Sequence, residues 1–328
     1  MDSLRTLRRL FTKEMKIVVL DAATMGADLD FSPLYAIGEV ELYQHTSQED
    51  VPARIADADV LVLNKTRLGK QNLASAKRPL LIAITATGFD NVDVSYCREQ
   101  GIAVANVAGY STDSVAQLTL ATVLSLACHM RAYNDYIASG AYTESSCFNL
   151  LSPAYHELAG KTWGIVGLGN IGMKVARVAE ALGCRVIAYT RTPKAEYPCV
   201  SLDELCKEAD IITLHTPLND GTRGLISGDK IARMKDGVIL VNEARGAVVD
   251  EAAVADAVKK NKLFFGSDVY SAEPFPAESP IHTIKDHPHT CLTPHMAWGS
   301  VEARKRCLGE VCQNILAYFD GVRRNRVD

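Results

Sequence analysis

Short runs of Val, Ile, Leu and Ala without polar alternation recur along this chain, separated by stretches of helical periodicity. A first group comprises KIVVLD (16–21), VLVLN (60–64), LLIAITA (80–86) and IAVANV (102–107). A second comprises TWGIVGLG (162–169), RVIAYT (185–190), IITLH (211–215), VILVNE (238–243), LFFGSDV (263–269) and TCLTPH (290–295). Strands apolar on both faces suit parallel sheets covered by helices on either side. Their alternation with helices predicts an α/β, doubly wound architecture, and ten strands exceed one modest sheet. Two Rossmann-like parallel-sheet domains follow from the pattern.

The segment STDSVAQLTLATVLSLACHMRAYNDYIASG (111–140) divides the two groups. Its opening residues, Ser111 to Ser114, offer N-cap chemistry, and the rest reads as a helix apolar on most faces. Such a helix must be buried, in its own domain or against another subunit, and the second is the preferred reading. A homodimer is therefore expected.

Composition narrows the function classes. The chain has 328 residues, 48% hydrophobic and 23% charged, with a formal net charge of -4. No stretch gathers Lys and Arg on one face, so neither nucleic acid nor an anionic membrane is an expected partner. No apolar run approaches the roughly 18 residues needed to span a bilayer. Nine cysteines are scattered singly, with no C-x-x-C pair. That usage suits a reduced, cytoplasmic protein better than a disulfide framework. His282, His287 and His289 lie close together, but no cysteine or acidic pattern completes a ligand set, so no metal is expected. The basic leader MDSLRTLRRLFTKE reads as a disordered lead-in to the first strand.

GLGNIG places Gly167, Gly169 and Gly172 in G-x-G-x-x-G spacing, after an apolar strand and before a helical stretch ending in glycine. In that context the glycines allow a tight turn, close backbone approach to a pyrophosphate, and close helix–strand packing. The N–H groups of Asn170 and Ile171 would face the phosphates at the helix start. An NAD site usually ends the next strand with Asp or Glu on the ribose hydroxyls. Here the strand ends in Thr190, followed by Arg191. A carboxylate would repel a 2′-phosphate, whereas a hydroxyl and a guanidinium can bind one, so NAD(P) leans to NADP.

NVAGYSTDSVAQ, GKTWGIVGLGNIG, LHTPLNDGTRGLI, MKDGVILVNEARGAVVDE, GSDVYSAEP and LTPHMAWGS stand in that order along the chain. In this order they resemble the D-isomer-specific 2-hydroxyacid dehydrogenases, from about residue 16 to the C-terminal helix. The resemblance implies a catalytic set of Arg245, Glu273 and His295. Singly, these could be a helix-end arginine, a loop acid and a surface histidine; their joint occurrence in order argues otherwise. Reducing a 2-keto acid adds hydride to C2 while a proton must reach the carbonyl oxygen, a task suited to a positioned histidine. Glu273 beside it would favour the imidazolium and fix the ring. Arg245 would hold the keto-acid oxygens with its fork and polarise the carbonyl.

The resemblance also implies that Thr216, Pro217 and Thr222 line the cofactor, that Ala244 lies beside the nicotinamide, and that Asp268 is the acid near its amide. Thr87 and Gly88 match the loop whose backbone holds the substrate carboxylate, though an ordinary glycine turn is a serious competitor. Gln117 and Trp298 resemble the glycerate dehydrogenase/hydroxypyruvate reductase branch, where Trp298 would close the pocket around a short acid or serve as a core or subunit contact. Glu243 departs from the family pattern, in a position usually small or hydroxylated. The implied plan is a substrate domain of residues 1–108 plus 298–328, with a dinucleotide domain of 109–297 inserted and the active site in the cleft between them. The implied reaction is reduction of hydroxypyruvate or glyoxylate to a D-2-hydroxy acid. A D-lactate-type or other 2-keto acid reductase is the alternative, and a dinucleotide-sensing, corepressor-like binding protein is the reading from another class. A phosphoglycerate dehydrogenase is not expected, because VLVLNKTRL holds no strong phosphate cluster.

Overall fold

The computed structural model describes residues 15–74, 79–192 and 194–328; the basic leader, residues 1–14, lies outside them. Among the described residues all strands run parallel to their neighbours, in two sheets. The first contains β1 (Lys16–Val19), β2 (Glu39–Leu42), β3 (Val60–Leu63), β4 (Leu81–Ile84) and β5 (Ala103–Ala105), in the order β2-β1-β3-β4-β5. The second contains β6 (Thr162–Val166), β7 (Arg185–Tyr189), β8 (Ile211–Leu214), β9 (Val238–Asn242), β10 (Leu263–Ser267) and β11 (Thr290–Leu292), in the order β11-β10-β9-β8-β6-β7. Every residue of β3, β4, β6, β8 and β9 is buried, as sheets covered on both faces require.

β2 is the strand that hydrophobic runs do not reveal. Its sequence is EVEL, it pairs only with β1 at the sheet edge, and it is partly exposed along its length. An edge strand has no need of an unbroken apolar run. The other strands end earlier than their apolar runs do. Residues beyond the strand ends, such as Gly167, Glu243, Asp268 and His295, turn away into loops at the carboxyl edge of the second sheet.

The chain divides into two compact units, one holding the described residues up to Ser111 with Gly299–Asp328, the other Thr112–Trp298. In the first, the Val301–Phe319 helix packs on β4 through a buried face that includes Cys307, Leu308, Val311 and Ile315. The second has Trp163 and Phe265 fully buried at its centre, and the Trp163 indole N–H donates to the Thr213 hydroxyl (3.1 Å).

The dividing segment is two helices, not one. Thr112–Ala127 and Met130–Ala138 are bent by 67° at a break where His129 adopts a left-handed φ of 51°. The first buries Val115, Ala116, Thr119, Thr122, Val123 and Leu126, packing on β9, β10, β11 and the Asn170–Ala181 helix. That face is therefore covered within its own unit, contrary to the preference for a second subunit. Met130–Ala138 buries no residue, and Met130 and Ile137 are both exposed. Among the described residues no single helix is long and apolar enough to cross a membrane.

Candidate active site

In the second sheet the chain leaves β6 toward β7 on one side and returns to β8 on the other, so β6 marks a switch in strand order. Ligands of open α/β sheets bind at the carboxyl edge beside such a switch, and GLGNIG follows β6 there. Gly167 has a φ of 98°, and a β-carbon on it would lie 2.6 Å from the His215 carbonyl oxygen beyond β8. A β-carbon on Gly172 would meet the Gly167 carbonyl oxygen at 2.0 Å, so the helix can start against the turn only with glycine. Gly169 is different: its β-carbon would meet nothing within 4 Å. Space beside Gly169, together with the N–H groups of Asn170 and Ile171 in the first turn of the Asn170–Ala181 helix, suits a pyrophosphate. A dinucleotide therefore fits the residues present. The helix ends in a Schellman arrangement: Gly183 N–H donates to Glu180 O (2.9 Å) and Cys184 N–H to Ala179 O (3.0 Å).

Beyond β7, Thr190 is partly exposed and donates to the Thr192 carbonyl (3.4 Å), while Arg191 is exposed. Thr216 and Pro217 follow His215. Thr222 has its hydroxyl committed within the same loop, donating to the Pro217 carbonyl (2.6 Å) and accepting from the Asn219 N–H (2.8 Å). It fastens this loop on itself. Both ring nitrogens of His215 are shielded without a hydrogen-bond partner, and burial pushes its imidazole down to about 3.

Arg245, Glu273 and His295 stand on three loops of the second unit that a chain of contacts joins, and the Arg245 guanidinium donates from Nη1 to the Ala244 carbonyl (2.9 Å). Arg245 ends the turn after β9, where Asn242 accepts from the Ala244 N–H (3.1 Å) and donates to the Arg245 carbonyl (2.9 Å). Its neighbour Gly246 touches the next loop: a β-carbon there would lie 1.9 Å from the Tyr270 carbonyl carbon. Tyr270 in turn donates its N–H to Glu273 Oε1 (2.9 Å), and Glu273 Oε2 lies 2.5 Å from His295 Nδ1. Nε2 is the ring nitrogen left for a substrate. Neither member of the pair is sealed off, the side chains being 22% (His295) and 32% (Glu273) exposed.

His295 itself has a left-handed backbone, φ 54°, which costs a non-glycine residue about 1 kcal/mol or more. The surroundings hold it there. Asp268, 1% exposed, accepts from the Thr293 hydroxyl (2.6 Å) before His295 and from the Met296 (2.8 Å) and Ala297 (2.8 Å) N–H groups after it. The Trp298 indole N–H donates to the His295 carbonyl (3.0 Å), and the Tyr270 hydroxyl reaches the Thr293 carbonyl (2.8 Å). Asp268 and Trp298, expected at the cofactor and the substrate, here also organise the histidine turn. Sequence reasoning did not single out Tyr270 or Thr293; the signal was their place in the same short motifs, DVYSAEP and LTPH. Ala244 is buried beside the arginine turn. Thr87 and Gly88 belong to the other unit, past β4, where Thr87 donates to the Val107 carbonyl (2.8 Å) and accepts at its own carbonyl from Asn106 (2.7 Å). No group of His, Cys, Asp and Glu among the described residues could hold a metal ion.

Residues 120–297 match the model of the D-isomer specific 2-hydroxyacid dehydrogenase NAD binding domain. The chain is 36% identical to a hydroxypyruvate reductase of Blautia hydrogenotrophica, over 94% of this chain and 98% of that one. It is 32% identical to a glycerate dehydrogenase of Methylorubrum extorquens, over 95% and 99%. The structure of a D-lactate dehydrogenase from Aquifex aeolicus, complexed with NAD and lactic acid, superposes with a TM-score of 0.82 at 29% identity, over 93% and 96%. With the glycine loop, the arginine turn and the Glu273–His295 pair on one sheet edge, the chain belongs to the D-isomer specific 2-hydroxyacid dehydrogenase family, an oxidoreductase acting on CH–OH donors with a nicotinamide dinucleotide.

Proposed function

We propose that this enzyme reduces hydroxypyruvate or glyoxylate to the corresponding D-2-hydroxy acid or glycolate, with NADPH preferred over NADH. The observation that carries the reading is the Glu273–His295 contact, linked through Tyr270 and Gly246 to the Arg245 turn. When bound, the reduced nicotinamide supplies the hydride to C2. Arg245 grips the oxygens of the keto acid and polarises the carbonyl. His295, held through Nδ1 by Glu273, gives the proton from Nε2 to the carbonyl oxygen as charge develops there. In the reverse direction the same nitrogen takes the hydroxyl proton. The N–H groups of the Thr87–Gly88 loop are the proposed holders of the substrate carboxylate.

The preference for NADPH rests on the chemistry beyond β7, where Thr190 and Arg191 stand in place of an acid that would repel a 2′-phosphate. Gly167, Gly169, Asn170, Ile171 and Gly172 are assigned to the pyrophosphate, and Thr216, Pro217, Ala244 and Asp268 to the nicotinamide side. A homodimer is proposed from the exposed side chains of Met130, Ile137, Phe148, Leu151 and Tyr155, large apolar groups concentrated within residues 130–155. A cytoplasmic location is proposed from the nine free cysteines.

The test is loss of reduced-nicotinamide absorbance with hydroxypyruvate, glyoxylate and pyruvate, each with NADPH and NADH. Fast turnover of either of the first two supports the reading, and the cofactor ratio decides on Arg191. Dinucleotide binding without turnover of any of the three refutes it.

A further inference from the structure

Glu243 stands directly after β9, two residues before Arg245, where a carboxyl group has no obvious business. It is 8% exposed; its Oε1 lies 3.5 Å from the Thr122 hydroxyl, and its Oε2 is buried without a hydrogen-bond partner. The groups facing it are Thr122 from the Thr112–Ala127 helix, Asp268 and Tyr270 from the segment after β10, and Cys291 from β11. None of these is a cation. A carboxylate placed there would lack both a counter-charge and amide donors, so the neutral acid is the form this environment favours.

Asp268, close enough for its charge to act on Glu243, is provided for in the opposite way. Its two oxygens collect one hydroxyl and two backbone N–H groups, all from the turn that carries His295. Two neighbouring carboxyls in a dry site do not both ionise readily, and the better-solvated one takes the charge. We propose that Glu243 is a positioning residue of the reaction: as the protonated member of an acid pair, it leaves Asp268 the negative charge that gathers the Thr293 hydroxyl before His295 and the Met296 and Ala297 N–H groups after it, and its ionisation releases His295 from alignment. Burial foremost, then the charge of Asp268, push the Glu243 acid up to about 9. The arrangement therefore holds through neutral pH and gives way in alkali. A second charge beside Asp268 is relieved by moving Glu243 out of its buried place against the sheet, and that movement loosens the 293–297 turn.

This inference rests on the proposed reaction, and the experiment separates the two. In the oxidation of D-glycerate, His295 must be the neutral base, so rising pH does not in itself remove activity. For the wild type, kcat is expected to climb to a plateau and then fall above pH 9, approaching tenfold for each further pH unit. In Glu243→Gln, which carries no ionisable group there, the plateau should extend without that fall while KM for the dinucleotide is unchanged. Ring-nitrogen NMR signals of His295, assigned by their loss in His295→Ala, should show the same alkaline step in the wild type and not in Glu243→Gln. If the fall in kcat or the His295 step survives the substitution, the proposal is overturned. Absence of turnover with every D-2-hydroxy acid tried would overturn the reaction reading alone, because the His295 signals would still decide on Glu243.

Discussion

Replacing Glu243 by glutamine exchanges one acid proton and oxygen for an amide, with the shape of the side chain retained, yet it should change how stability responds to pH. In the unfolded chain this carboxyl ionises near its ordinary 4.5; in the folded chain burial and Asp268 push it up to about 9. Between those values the folded protein binds one proton that the unfolded chain does not. Stability must therefore fall as pH rises, by about 1.4 kcal/mol per pH unit from this group. Between pH 6 and pH 8 the loss is about 2.7 kcal/mol, a large fraction of the stability of an ordinary domain. Glutamine has no such linkage. Its buried amide adds a cost of about 1–3 kcal/mol that does not depend on pH, so the informative quantity is the slope of the difference. The two tryptophans, Trp163 and Trp298, both lie in the unit that holds Glu243, so their fluorescence during urea unfolding reports on that unit. Unfolding curves of the two proteins at pH 6, 7 and 8 should diverge steadily, with Glu243→Gln gaining on the wild type at each step. Parallel pH dependences would mean that Glu243 is ionised when folded, and the reasoning from burial would be wrong.

Other substitutions probe other links. His295→Ala should cost about 10²–10⁴ in kcat with dinucleotide affinity, read by quenching of protein fluorescence, little changed; unchanged turnover would remove the proton-donor role. Arg191→Ala should raise KM for NADPH about tenfold through loss of one charge-assisted contact and leave KM for NADH alone, and equal effects on both would refute the 2′-phosphate assignment. At Gly246→Ala the added carbon would overlap the Tyr270 backbone at 1.9 Å, so we expect a loss of at least about 2 kcal/mol together with turnover; a variant melting at the wild-type temperature would contradict the close approach. Tyr270→Phe removes only the hydroxyl that reaches the Thr293 (2.8 Å) and Ser267 (3.1 Å) carbonyls, worth about 1 kcal/mol, and should lower kcat more than it raises KM if the bond to Thr293 helps hold the histidine turn.

The parallel sheets, the glycine loop and the order of the motifs were legible in the chain because each depends on neighbours in sequence. An apolar run without alternation can only be a strand covered on both faces or part of a buried helix, and the glycine spacing after β6 marks a turn whatever the rest of the fold does. Arg245, Glu273 and His295 could be named from six motifs in a fixed order, though nothing local says how their loops are joined. That joining is a tertiary fact. Gly246 must touch Tyr270, Tyr270 must hold Glu273, and Asp268 must collect N–H groups 28 and 29 positions away at Met296 and Ala297. β2 was hidden because an edge strand is not bound to an apolar pattern, and the bend at His129 because a left-handed residue other than glycine leaves no compositional mark. The role of Glu243 was the least readable. Its protonation depends on what buries it and on the charge of a residue 25 positions further along, and both are set only when the helix carrying Thr122 closes over the sheet. Sequence by itself determined which chemical groups the chain carries and the local turns that present them. Only the tertiary structure decided which of those groups lose water, and with it which of two neighbouring acids can hold a charge.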